Sequence, residues 1–173
     1  MFSIAPLFLT AMLLAPASPF IPLSEGEVID APTRHIRTTD TALRHMLRRG
    51  FRGSPTFASL VARLQRSDVI VYVESVPRLP GALDGRLMML PRAHDHRYVR
   101  IQIALRGSPE DGIAVLGHEL RHAVEVAEAV GVSDTDGLAK LYQRIGLRGG
   151  EHVYDTVAAQ ETGRTIRREL SVA

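Results

Sequence analysis

Ser108-Pro109-Glu110-Asp111-Gly112-Ile113-Ala114-Val115-Leu116-Gly117-His118-Glu119-Leu120-Arg121-His122-Ala123-Val124-Glu125 is the stretch on which the reading of this chain turns. Its first four residues are a helix start. Ser108 can accept a hydrogen bond from a freed N–H, Pro109 suits the first helical position, and Glu110 and Asp111 suit the positive end of the helix dipole. Ile113, Leu116, Leu120, Val124 and Ala127 then recur every three or four residues, which predicts a helix to about residue 130 with Gly131 ending it. That stripe faces a core. On the opposite face His118 and His122, four apart, bring two imidazoles together one turn apart. Glu119 is turned about 100° from His118.

The spacing suits a metal. Two imidazole nitrogens on one helical turn can hold a Zn²⁺ ion at about 2.0–2.1 Å each, while Glu119 is placed to act as a base on water there. The chain has no cysteine, so any further ligand must be His, Asp or Glu. Glu125, three residues past His122, is a candidate acceptor for a histidine N–H, or an alternative ligand. The third ligand is sought on a last helix expected over residues 151–170. Asp155, Ala158, Ala159, Thr162, Ile166 and Leu170 form one stripe there, and an acid heading a small, apolar stripe is a candidate for a buried, paired carboxylate. Asp155 ranks first, Glu151 one turn earlier second, and Glu161 third. Tyr154, with His152 and Tyr142 behind it, is the candidate donor to a developing oxyanion.

Outward from this helix the chain reads as one α+β domain, with a small mixed or antiparallel sheet packed against helices. Its 173 residues, 45% hydrophobic and 23% charged, suit a single core. A formal net charge of +2, with Lys140 the single lysine among 21 basic residues, gives no reason to expect nucleic-acid binding. Thr39-Asp40 is expected to cap a helix ended by Gly50, Ser54-Pro55 to open a second, and Ser133 with Asp136 to open one carrying Leu138, Leu141, Tyr142 and Ile145. Val69 to Val73, Arg86 to Leu90 and Tyr98 to Leu105 read as strands, the second broken by Pro91. Residues 1–17 are expected to be a signal peptide, because an uncharged apolar run over residues 4–17 ends in Leu13-Leu14-Ala15-Pro16-Ala17, a small-x-small pattern. Processing would leave no membrane span; an uncleaved anchor is the alternative. Residues 18–37, with Pro19, Pro22 and Pro32, read as an extended linker, and residues 38–173 as the domain.

His118-Glu119-Leu120-Arg121-His122 on a capped helix, followed about thirty residues later by an acid, resembles the zincin metallopeptidases in their gluzincin-like arrangement. The segment from Gly117 to Glu125 also looks like that of small bacterial proteins. The resemblance covers residues 108–130 and, loosely, 151–170. It implies zinc-dependent peptide-bond hydrolysis of a peptide or protein substrate in a secreted or periplasmic protein, with water activated at the metal and Glu119 as general base. It also implies that the strand from Tyr98 to Leu105 is an edge strand beside the cleft, open to a peptide. Two features depart from the pattern: an Asp stands where a Glu is usual, and position 128 is Glu128 rather than the third histidine of metzincins. The rival reading is a non-catalytic periplasmic binding module whose zinc is structural or vestigial. His94-Asp95-His96 reads as a polar loop, and Arg164, Arg167 and Arg168 as a solvated helix face or a surface for an acidic partner.

Overall fold

The computed structural model describes residues 34–148 and 154–172. The expected signal peptide, the linker up to residue 33, and Glu151 and His152 lie outside the described residues. The fold is α+β. Strand β1 (Ile36–Arg37) leads into helices α1 (Thr41–Gly53) and α2 (Pro55–Gln65), then strand β2 (Val69–Val76). Strands β3 (Gly85–Ala93) and β4 (His96–Ala104) form a hairpin, and helices α3 (Pro109–Glu128) and α4 (Thr135–Ile145) follow. Two short strands, β5 (Leu147–Arg148) and β6 (Tyr154–Asp155), precede helix α5 (Val157–Ser171).

The main sheet has the order β1-β2-β4-β3, with β1, β2 and β4 parallel and β3 antiparallel to β4. Alternation sets its two faces. Val69, Val71 and Val73 of β2 and Val99, Ile101 and Ile103 of β4 are buried towards the helices, where Ile113, Leu116 and Leu120 of α3 meet them in one core. Tyr72, Tyr98, Arg100 and Gln102 occupy the other face, Tyr72 stacking on Tyr98 with ring centroids 6.2 Å apart.

Several sequence expectations shift. The strand over 98–105 is not an edge: β4 lies between β2 and β3, and β3 is the outer strand. Pro91 does not end β3; it sits at a register shift on that outer strand, where its missing N–H removes no ladder bond. Gly50 does not end α1, which runs three residues further because Gly50 is itself buried against Ile113 and Phe57. The cap of α4 is Asp134, whose carboxylate accepts from Gly137 N at 2.7 Å, rather than Ser133. The folded unit also begins before residue 38, since Ile36 pairs in the sheet and is 2% exposed. The last helix starts at Val157, six residues later than expected, which takes Asp155 off the helical stripe.

Candidate metal centre

Helix α3 is held at both ends. Ser108 and Asp111 form a reciprocal capping box, each side chain accepting from the other's backbone N–H at 3.2 Å. At the far end Arg97, 3% exposed, donates to the carbonyls of Val126, Ala127, Ala129 and Val132 at 2.7–3.1 Å and pairs with both oxygens of Asp68. A guanidinium at a helix C-terminus satisfies orphan carbonyls and opposes the negative dipole end. Nothing local in the sequence marks Arg97 for this, because its partners lie about thirty residues on.

Between these anchors α3 presents His118 and His122 with their Nε2 atoms 3.2 Å apart. Asp155 closes the group: its Oδ1 lies 3.3 Å from His118 Nε2 and 3.6 Å from His122 Nε2. A tetrahedral Zn²⁺ with bonds near 2.05 Å separates its ligand atoms by about 3.3 Å. The three atoms are therefore spaced as one face of such a tetrahedron. The donor set of two imidazoles and one carboxylate fits zinc and admits other divalent first-row metals.

Asp155 reaches this position from β6, paired with Leu147 of β5, and not from a helix. Its Oδ1 accepts from Thr156 N at 2.7 Å and its Oδ2 from Gln160 Nε2 at 2.8 Å, which fixes the carboxylate before any ion is considered. Helix α5 packs against α3 so closely at Gly117 that a side chain there would collide, while at Gly163 the contact is ordinary. A Cβ at Gly117 would come within 2.2 Å of Ile166 Cδ1, and one at Gly163 within 3.5 Å of His118 Cβ.

Behind His122 stands a buried hydrogen-bonded chain. His122 Nδ1 meets Glu125 Oε2 at 2.9 Å, and Glu125 Oε1 accepts from the Thr156 hydroxyl at 2.8 Å. That hydroxyl also accepts from Ala159 N at 3.0 Å, capping α5. Arg121 lies 3.6 Å from Glu125. The Tyr142 ring packs edge-on to the His122 ring, centroids 5.3 Å apart, and its phenol is buried. Burial disfavours a charge on His122, but Asp155 and Glu125 more than offset it and hold its pKa up at about 9. His118 is pushed down by burial and by His122. Burial also opposes ionisation of Asp155, yet its contacts with His122, Gln160 and His118 hold its pKa well below the usual carboxylate range. The pocket thus stabilises positive charge between Asp155 and Glu125.

Glu119 is 5% exposed, and burial raises its pKa to about 7. It lies against Gly85, the first residue of β3, where a Cβ would come within 2.6 Å of Glu119 Oε1. His118 and Glu119 line a cleft of about 960 Å³. One wall is Leu83, Asp84 and Gly85 at the start of β3, and the other is α5 from Gln160 to Arg168. The strand beside this cleft is β3, because the hairpin folds β4 inward.

The other sequence candidates fall elsewhere. Glu161 is exposed on the cleft wall and absent from the His118–His122–Asp155 group. The side chain of Tyr154 lies outside the described residues. His94 occupies the β3–β4 turn with φ 53°, and the His96 ring lies near those of His35 and Tyr98 on the sheet face opposite the helices. Sequence reasoning gives Thr156 and Arg97 no role and reads Gly85 only as part of a turn with Asp84; a cap signal, Thr156 followed by an amphipathic run, marks the first. Comparisons of the chain with protein-family models, with curated proteins and with solved structures give no match.

Proposed function

We propose that this protein is a zinc-dependent peptide hydrolase of the zincin type, acting outside the cytoplasm. One observation carries the reading: the ligand atoms of His118, His122 and Asp155 form a tetrahedral face, and a buried Glu119 stands beside them in an open cleft. The resemblance of residues 108–130 to the zincin motif supports it.

A zinc ion held by these three side chains would polarise a scissile carbonyl and acidify water. The protein's own groups do the rest. Glu119 takes a proton from water on its carboxylate and returns it to the leaving nitrogen; a pKa raised towards 7 suits both directions of transfer near neutrality. Glu125 holds the His122 ring so that Nε2 faces the ligand group. The outer edge of β3 offers main-chain groups with which an extended peptide can pair, which would align its backbone past Glu119.

The test is a pair of variants. His122→Ala should lose stoichiometric zinc. Glu119→Gln should keep zinc and lose cleavage of a mixed peptide library. Wild type without zinc after chelator-free purification would falsify the metal site. Zinc without cleavage by wild type would favour the non-catalytic binding module.

A further inference from the structure

The arginine cluster of α5 lies on the cleft. Arg164, Arg167 and Arg168 are spaced three and four apart, so they share one face of the helix, and all three line the cavity that contains His118 and Glu119. The chain directions fix which end they occupy. Helix α5 runs past α3 with Gly163 against His118 and Arg167 paired with Asp111 in the first turn of α3 at 3.0 Å. The arginines therefore line the end of the cleft away from Asp155, towards the α3 N-terminus. Across from them Asp84 on the opposite wall is held by Arg106 at 3.5 Å.

The charges at this end do not cancel. Arg164, Arg167 and Arg168 line this end with Asp84 as the one carboxylate across from them; Asp84 is paired with Arg106, Arg167 with Asp111, and Glu110 beside Asp111 with Arg49. Arg164 has no acidic partner among the described residues. Arg168 donates to Thr165 Oγ1 at 3.1 Å, which leaves the rest of its fork open. Glu161, the remaining acid on this wall, stands one turn nearer the histidines. The α3 N-terminus adds its dipole, already answered by Glu110 and Asp111.

We infer that this end of the cleft is a subsite for carboxylate side chains, so that the substrates are peptides carrying Asp or Glu on one side of the scissile bond, with Arg164 and Arg168 setting the preference. A planar guanidinium fork matches a carboxylate in two parallel hydrogen bonds, which a lysine could not reproduce. Both residues are exposed at the rim, so each contributes modestly and in a salt-dependent way, and the selectivity comes from the pair. The inference rests on the reading of the cleft as a substrate groove, but it concerns binding and does not depend on turnover.

Two fluorescein-labelled decapeptides of Gly, Ala and Ser test it, one with a Glu-Glu pair and one with Lys-Lys at the same positions. Binding is read by anisotropy on the full-length Glu119→Gln protein loaded with zinc, and cleavage on wild type. The Glu-Glu peptide should bind about tenfold more tightly at 50 mM salt, with the difference shrinking at 500 mM. Arg164→Glu with Arg168→Glu in the same background should invert the order. Arg37→Glu with Arg44→Glu, both exposed and outside the cleft lining, should leave the order unchanged and controls for the same change in net charge. Equal binding of the two peptides, or an order that survives the double reversal, would overturn the subsite. Selective binding without cleavage by wild type would keep the subsite and reject hydrolysis. Cleavage of both peptides at equal rates would keep hydrolysis and reject the subsite.

Discussion

The Thr156 hydroxyl donates to Glu125 Oε1 at 2.8 Å, joining the cap of α5 to the carboxylate that meets His122. One side chain thereby does two things. It starts the helix that follows Asp155, and it sets the ring angle of a candidate metal ligand on another helix. Both halves of the ligand group are registered through it, since Asp155 precedes it by one residue.

Replacing Thr156 should therefore cost twice. Thr156→Val should lower stability by about 1–2 kcal/mol, the loss of a cap plus one hydrogen bond to a buried carboxylate oxygen. It should also weaken zinc binding by about tenfold, as loss of an outer hydrogen-bond partner does. Thr156→Ser keeps the hydroxyl and should restore both. Thermal melts with and without chelator, and zinc competition with a chromophoric chelator, measure the two effects. A valine variant that melts lower but binds zinc normally would leave Thr156 as a cap only.

Asp155 and Glu161 separate ligand from bystander. Asp155→Ala should weaken zinc by more than the ~10–100-fold expected for an outer partner, whereas Glu161→Ala should leave it within about twofold. Asp155→Asn keeps the shape and its acceptor oxygen for Thr156 N, so a large zinc defect there would isolate the carboxylate charge. Equal defects at 155 and 161 would remove Asp155 from the ligand set.

Gly85 tests how tightly Glu119 is held. Gly85→Ala places a methyl group about where Glu119 Oε1 and Cγ now sit, so the carboxylate must swing away. We expect cleavage to fall by about tenfold to a hundredfold, since misplacement of a catalytic group by an ångström costs that much, with zinc stoichiometry unchanged. Peptide turnover and metal content on the same preparation give the answer; normal turnover would show that Glu119 adapts.

Arg97 and Asp68 contribute to the acid limb of stability. The paired guanidinium holds the Asp68 carboxyl below its ordinary value in the folded protein. A folded pKa below the unfolded one contributes stability that is present above about pH 4 and is lost as pH falls through the folded pKa. Asp68→Asn should thus unfold at the same low pH as wild type but lose part of its stability at neutral pH. Arg97→Ala leaves four carbonyls at and just beyond the α3 C-terminus without their guanidinium and should cost about 3 kcal/mol at pH 7. Urea melts at pH 3, 5 and 7 distinguish the two. A stability difference between wild type and Asp68→Asn that persists unchanged at pH 3 would contradict the linkage.

What the sequence determined by itself is what local rules control. The start of α3, its buried stripe, the shared face of His118 and His122 and the displacement of Glu119 follow from side-chain chemistry and a 3.6-residue period, and the lack of cysteine limits the ligand types. The α+β class followed from the same periodicities. Only the tertiary structure decided the partners. Asp155 was picked out by a helical stripe that begins two residues after it; what brings it to the histidines is β6 pairing and the approach of α5 to α3 at Gly117 and Gly163. The resemblance implies an edge strand over residues 98–105, but β3 is the outer strand, and alternation alone cannot say which strand a hairpin folds inward. Arg97 and Thr156 act through partners about thirty residues away, and no local pattern in a sequence reports contacts at that separation.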